Sequence, residues 1–210
     1  MSQYTYEKEE RTCPLETYEW DNVWWEQADR CDIPRVLYIG DSISCATRKR
    51  ATQAAGGKLL FDGFGTSKAV DNPYFADSVR MFAKQQGERC AVLFNNGLHG
   101  FHLDDRDGYV EHYEKMLKFL LDEFKGTPII ILLTTHVSNP ERDKRVVERN
   151  KQVSALAVKY GVPTVDLYSV TLENADLISA DGVHLLPEGY EILAKTVVEA
   201  VESVLKSKKA

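Results

Sequence analysis

Residues 36–44 read Val-Leu-Tyr-Ile-Gly-Asp-Ser-Ile-Ser, a short apolar run that ends in Gly-Asp-Ser. Four apolar residues followed by a glycine predict a buried strand that turns sharply, leaving Ser42 at the carboxyl edge of a sheet with a helix starting behind it. In open α/β sheets that edge is where reacting groups collect. Near the other end of the chain stands Asp181-Gly182-Val183-His184. A His three residues after an Asp can turn one ring nitrogen to the carboxylate and present the other to a serine hydroxyl, which supplies a nucleophile, a base and an orienting acid. Ser42, His184 and Asp181 are therefore the candidate catalytic residues. As purely structural residues, Ser42 would be a helix N-cap and His184 a hydrogen-bonded loop histidine.

Outward from this segment, short apolar runs alternate with amphipathic stretches. Strands are expected at 36–39, 58–61, 90–95, 128–133 and 162–166, and helices at 45–55, 74–86, 109–124 and 142–160. Tyr113, Met116, Leu117, Leu120, Leu121 and Phe124 fall on one helical face. The unbroken run Ile129-Ile130-Ile131-Leu132-Leu133 implies a strand covered on both sides, hence a parallel sheet between helix layers. Pro187 opens a last helix that carries Tyr190, Leu193, Ala194, Val197, Val198 and Val201 inward. The expected fold is α/β, a three-layer α/β/α sandwich on a five-stranded parallel sheet. The domain reading is an aromatic-rich arm at 1–34 packed on one catalytic domain at 35–210.

Four segments together carry a family resemblance. Gly40-Asp41-Ser42, the Gly-rich turn Asp62-Gly63-Phe64-Gly65-Thr66-Ser67, Asn95-Asn96-Gly97-Leu98-His99-Gly100 and Asp181-Gly182-Val183-His184-Leu185 fall in the order of the four motif blocks of the SGNH/GDSL hydrolases. The chain resembles that family over residues 36–206. The resemblance implies a strand order of 2-1-3-4-5, Ser42 as nucleophile and Asp181 and His184 as its triad partners. It further implies an oxyanion hole made by the N–H of Ser42, by Gly65 and by a third-block donor. The third block departs from the pattern, because Gly97-Leu98-His99-Gly100 puts His99 where the family carries Asn. A neutral imidazole N–H can donate as an amide does, and Asn96 is the alternative donor. The resemblance implies an ester hydrolase that needs no cofactor. The Gly-Leu-His form of the block resembles the branch acting on carbohydrate esters, so a small-molecule or carbohydrate ester is the expected substrate, with acetyl as acyl group. A lipid esterase and a non-catalytic carbohydrate-binding relative are the rival readings.

At 210 residues, with no Pro/Gly/Ser-rich linker, one well-buried domain is the economical reading. A formal net charge of -6 is unhelpful for gathering phosphate backbones, so no nucleic-acid partner is expected. The cluster Arg142, Lys144, Arg145, Arg149 and Lys151 alternates with Glu141, Asp143 and Glu148, as on a solvated, salt-bridged helix face. Cys13, Cys31, Cys45 and Cys90 form no C-x-x-C pair, and reduced thiols are expected. The N-terminus lacks the apolar core of a signal peptide and no window approaches membrane-spanning length, so the chain as given is expected to be cytoplasmic with no membrane partner.

Residues 1–34 hold all three tryptophans, Trp20, Trp24 and Trp25. If 17–29 are helical, Trp20, Trp24 and Ala28 share a face. The aromatics then cover a sheet edge or helix layer, or form a platform for a sugar ring or for a second subunit of a homo-oligomer. His99, His102, Asp104 and Asp105 have the types of metal ligands, but no third His stands at i, i+4 and no metal is assigned. His136 follows the fourth strand and either contacts substrate or hydrogen-bonds its loop. Asp41, beside the nucleophile, is a second candidate substrate contact.

Overall fold

The computed structural model of the chain describes residue 15, residues 18–106 and residues 108–208. Cys13 and the start of the arm lie outside the described residues. Within them six strands form one mixed sheet: β1 (Asp21–Trp24), β2 (Arg35–Gly40), β3 (Leu60–Thr66), β4 (Ala91–Phe94), β5 (Ile129–Leu132) and β6 (Thr164–Val165). Their order is β1-β3-β2-β4-β5-β6. The five strands β2 to β6 are parallel and follow the expected 2-1-3-4-5 order; β1 adds an antiparallel sixth strand at the edge. The helices are α1 (Ser42–Ala54), α2 (Phe75–Gln86), α3 (Gly108–Glu123), α4 (Pro140–Tyr160), α5 (Leu167–Glu173) and α6 (Pro187–Ser207), with 3-10 turns at Phe101–Arg106 and Ala175–Leu177.

The period of two along each central strand sends side chains alternately into two cores. Leu37, Ile39, Val92, Phe94, Ile129 and Ile131 pack under α2, α3 and α4, while Val36, Tyr38, Ala91, Leu93, Ile130 and Leu132 pack under α1, α5 and α6. Both faces being covered is why these strands read as unbroken apolar runs. The six inward residues expected on the last helix are all buried in α6.

Two expectations are corrected. Residues 62–67, read as a Gly-rich turn, belong mostly to β3, every residue of which is buried. The glycines allow close approach rather than a reversal: a Cβ on Gly63 would lie 2.3 Å from Cδ of Arg48, and one on Gly65 would lie 2.2 Å from Sγ of Cys45, both on α1. The second correction is in the arm, where residues 21–24 form strand rather than helix. Long-range partners override the local helical spacing there. Asp21 pairs with Lys68 at 2.6 Å, the Glu26 N–H donates to Asp62 at 2.8 Å, and Arg35 donates to the carbonyls of Glu26, Gln27 and Arg30. Trp25 stacks on Phe82 at 4.9 Å, whereas Trp24 stays 47% exposed beneath the Arg48 guanidinium.

Candidate active site

The turn from β2 into α1 is made by Asp41, the N-cap of α1, whose carboxylate accepts the Ile43 N–H at 2.9 Å. Asp41 is only 1% exposed. It therefore acts on the turn that presents Ser42 and is not the substrate contact expected from sequence. Ser42 is the first residue of α1, where backbone N–H groups lack intrahelical acceptors and the helix dipole favours negative charge.

The loop before α6 brings the other two residues. Asp181 Oδ1 accepts from the backbone N–H groups of Val183 and His184 and from the Ser179 hydroxyl, each at 2.9 Å. Its Oδ2 lies 2.7 Å from His184 Nδ1, and His184 Nε2 lies 2.7 Å from Ser42 Oγ. Partial burial opposes ionisation of Asp181, but the N–H groups of Val183 and His184, the His184 ring and the Ser179 hydroxyl outweigh it and hold the carboxyl well below the usual carboxylate range. An ionised Asp181 keeps the Nδ1 proton facing it, which leaves Nε2 as the acceptor for the Ser42 hydroxyl proton. Cys45, on the same helix, is no rival nucleophile, because burial raises its thiol pKa and keeps it protonated.

Solved structures share this fold. A lipase/acylhydrolase from Enterococcus faecalis matches at TM-score 0.64 and 17% identity, covering 81% of this chain and 96% of its own. A member of the lipolytic G-D-S-L family from Veillonella parvula matches at 0.63 and 20%, covering 79% and 96%. The acetyl xylan esterase AlAXEase matches at 0.61 and 16%, covering 80% and 99%.

The chain has the SGNH/GDSL hydrolase fold.

No protein-family model and no curated protein matches the sequence.

The oxyanion donors depart from what the SGNH/GDSL resemblance implied. Ser67 N donates to Trp20 O at 3.1 Å and Leu60 N to Pro34 O at 3.0 Å. By the alternation of a β ladder, the odd-numbered N–H groups of β3 face β1 and the even-numbered ones face β2. Gly65, opposite Asn22 in the register, therefore directs its N–H into β1 and not to the reacting carbonyl. Asn96, the alternative to His99, is also committed: it is 3% exposed and its Nδ2 donates to Lys68 O at 2.8 Å, tying the second block to the third. His99 stands half-buried on the loop of residues 97–100, with its carbonyl accepting from Arg149 at 2.7 Å. That loop faces the start of α1, since Leu98 lines one small cavity with Ile43 and Ser44.

His136 belongs to the next loop but points into the protein. Its Nδ1 lies 2.7 Å from Asp143, whose other oxygen accepts the Tyr168 hydroxyl at 2.9 Å, and its N–H donates to Thr171 at 2.8 Å. Burial, with the bond to Asp143, pushes the Tyr168 pKa up to about 12. His136 holds its loop, and that loop supports the triad through Ser138 N, which donates to Gly182 O at 2.8 Å. His102 pairs with Asp71 at 2.8 Å.

Sequence reasoning missed Arg149, Asn150 and Tyr109. Arg149 was placed on a solvated face, yet it is 2% exposed. Asn150 clamps Thr134 through both its N–H and its C=O at 2.8 Å each, and Thr134 in turn packs on Gly97, where a Cβ would lie 1.9 Å from Oγ1. The charge alternation around Arg149 is the same as around Lys144 and Lys151, which do form surface ion pairs. No local signal separates them.

Proposed function

We propose that this protein is a serine ester hydrolase that removes small acyl groups, acetyl foremost, from a carbohydrate. The observation that carries the reading is the continuous chain Asp181–His184–Ser42, with both hydrogen bonds at 2.7 Å. Ser42 Oγ attacks the ester carbonyl as His184 Nε2 takes its proton, and the tetrahedral oxyanion forms against the Ser42 N–H at the helix start. Collapse expels the alcohol, protonated by His184, and leaves the acyl group on Ser42. Water, deprotonated by His184, attacks that acyl-enzyme and releases the acid.

The preference for a polar alcohol rests on the openness of the site. The side chains of His184 and Asp181 are 42% and 52% exposed, and the adjoining loop at 136–142 is mostly polar. A shallow polar mouth matches an acetylated sugar better than a long acyl chain. That one structural neighbour is an acetyl xylan esterase favours the same substrate class. A lipid esterase is the second reading, favoured by the lipase/acylhydrolase among the neighbours. The deciding experiment sets p-nitrophenyl esters of increasing chain length beside acetylated sugars. Fast release of acetate from sugars supports the proposal, octanoyl preference supports the lipid reading, and activity on neither supports a non-catalytic carbohydrate-binding protein.

A further inference from the structure

Arg149 is among the largest fully buried side chains in the molecule. Its Nη1 donates to the carbonyls of Gly97 at 3.1 Å and His99 at 2.7 Å, and its Nη2 donates to the carbonyl of Gly100 at 2.7 Å. The guanidinium lies 4.1 Å from the centre of the Tyr109 ring and 5.1 Å from that of Phe101. Tyr109, itself 2% exposed, donates its hydroxyl to the carbonyl of Asn96. Two side chains from two helices thus hold four carbonyls of one five-residue segment.

The peptide group is planar and trans, so a carbonyl and the N–H of the following residue point in opposite directions. With the carbonyls of Gly97, His99 and Gly100 turned to Arg149, the N–H groups of Leu98, Gly100 and Phe101 are turned away from it. Leu98 of this segment lines one small cavity together with Ile43 and Ser44 of the first turn of α1, and the segment carries His99. Gly65 and Asn96 are committed elsewhere, so the rest of the third block, from Gly97 onward, is where donors besides the Ser42 N–H remain. A buried guanidinium is costly to desolvate unless its donors are satisfied. Its fixed planar fork can serve several acceptors at once, which a lysine ammonium cannot do in the same geometry.

We propose that Arg149 is a positioning residue for the reaction: from behind, it fixes the peptide planes of residues 97–100 so that this loop presents hydrogen-bond donors to the oxyanion formed at Ser42. The proposal rests on the serine-hydrolase reading, and the experiment separates the two.

Arg149→Lys and Arg149→Ala are compared with the parent on a soluble acetyl ester, after circular dichroism and thermal unfolding have shown which variants fold. The expected result for a folded variant is a kcat lowered about 10²-fold with KM changed less than about threefold, because an oxyanion donor acts mainly on the transition state. Affinity for a boronic acid, which forms a tetrahedral adduct on the serine, should fall in parallel with kcat. Millimolar guanidinium should restore part of the kcat of Arg149→Ala but leave Arg149→Lys unchanged. A parent with no ester hydrolysis sinks the serine-hydrolase reading and this proposal with it. An active parent with folded variants of unchanged kcat and boronate affinity, or with KM and kcat moving together without rescue, overturns the positioning role alone. If neither variant folds, Arg149 is a stability element only and the positioning role is likewise lost.

Discussion

Nε2 of His184 stands 2.7 Å from Oγ of Ser42 although 142 residues separate them in sequence. Each comes from the edge of an element set by local rules: Ser42 opens α1 behind an Asp41 cap, and His184 closes an Asp-anchored turn before α6. The parallel sheet order brings the two edges together. From that distance follow the first expectations for the chemistry.

Ser42→Ala should abolish ester hydrolysis, lowering kcat by about 10⁴ to 10⁶, while the unfolding midpoint stays near that of the parent because no core volume is removed. A fluorophosphonate that labels the parent stoichiometrically should fail to label the variant. Labelling at Ser44 would contradict the assignment, but Ser44 is 3% exposed and its hydroxyl donates to Asp41 O at 2.6 Å.

kcat/KM should rise with pH through one ionisation assigned to His184, since only the neutral ring accepts the Ser42 proton. Asp181 contributes no further limb at mild pH, because its carboxyl is held well below the usual range. A depressed carboxylate stabilises fully above its unfolded pKa of about 3.9 and loses that contribution as pH falls below it. Asp181→Asn should therefore slow turnover by roughly 10² to 10⁴ and make unfolding less sensitive to acid. A pH–rate profile and acid titrations followed by circular dichroism test both; full activity in the variant rules the role out.

The third block makes a contrast between neighbours. His99→Ala should lower kcat about 10² to 10³ with KM little changed, and His99→Asn should recover part of it, if the ring is a donor. Asn96→Ala breaks the bond from Nδ2 to Lys68 O in a buried setting and should cost about 1–3 kcal/mol of stability, measured by urea unfolding. An Asn96→Ala enzyme that is stable but catalytically crippled would return the donor role to Asn96.

Gly65→Ala should destabilise the fold by about 1–3 kcal/mol through overpacking, since the new Cβ would meet Cys45 Sγ at 2.2 Å. Cys45→Ala in the same chain should recover much of the loss, the coupling expected of residues in direct contact. Additive effects in the double-mutant cycle would place the cost elsewhere than at the sulfur.

Substrate choice is read from chain length. Acetyl esters should be hydrolysed faster than octanoyl esters, and an acetylated sugar should compete with p-nitrophenyl acetate for the site, because a half-exposed triad gives a long acyl chain little surface to bury. A kcat/KM that climbs steadily from acetyl to octanoyl refutes this.

Much of the scaffold was legible in the chain itself. The apolar runs that became β2, β4 and β5, the amphipathic faces of α3 and α6, and the Gly-Asp-Ser turn are all set by periodicity and capping over a few residues. The types and order of Ser42, Asp181 and His184 named the triad for the same reason, since an Asp and a His three apart can meet within one turn. The tertiary structure alone decided the rest. Residues 21–24 are a strand because β3 offers an open edge and Asp62, Lys68 and Arg35 grip the arm; no spacing inside the arm encodes that edge. Gly65 loses its expected donor role because its N–H direction is set by the ladder to β1, not by the glycine. Arg149 reads like its charged neighbours until α4 packs against the 97–100 loop and buries it. Local pattern determines which elements form, but the direction of a backbone N–H and the burial of one arginine among many depend on contacts formed between elements, distant in sequence as Asn22 is from Gly65 and Arg149 from Gly97.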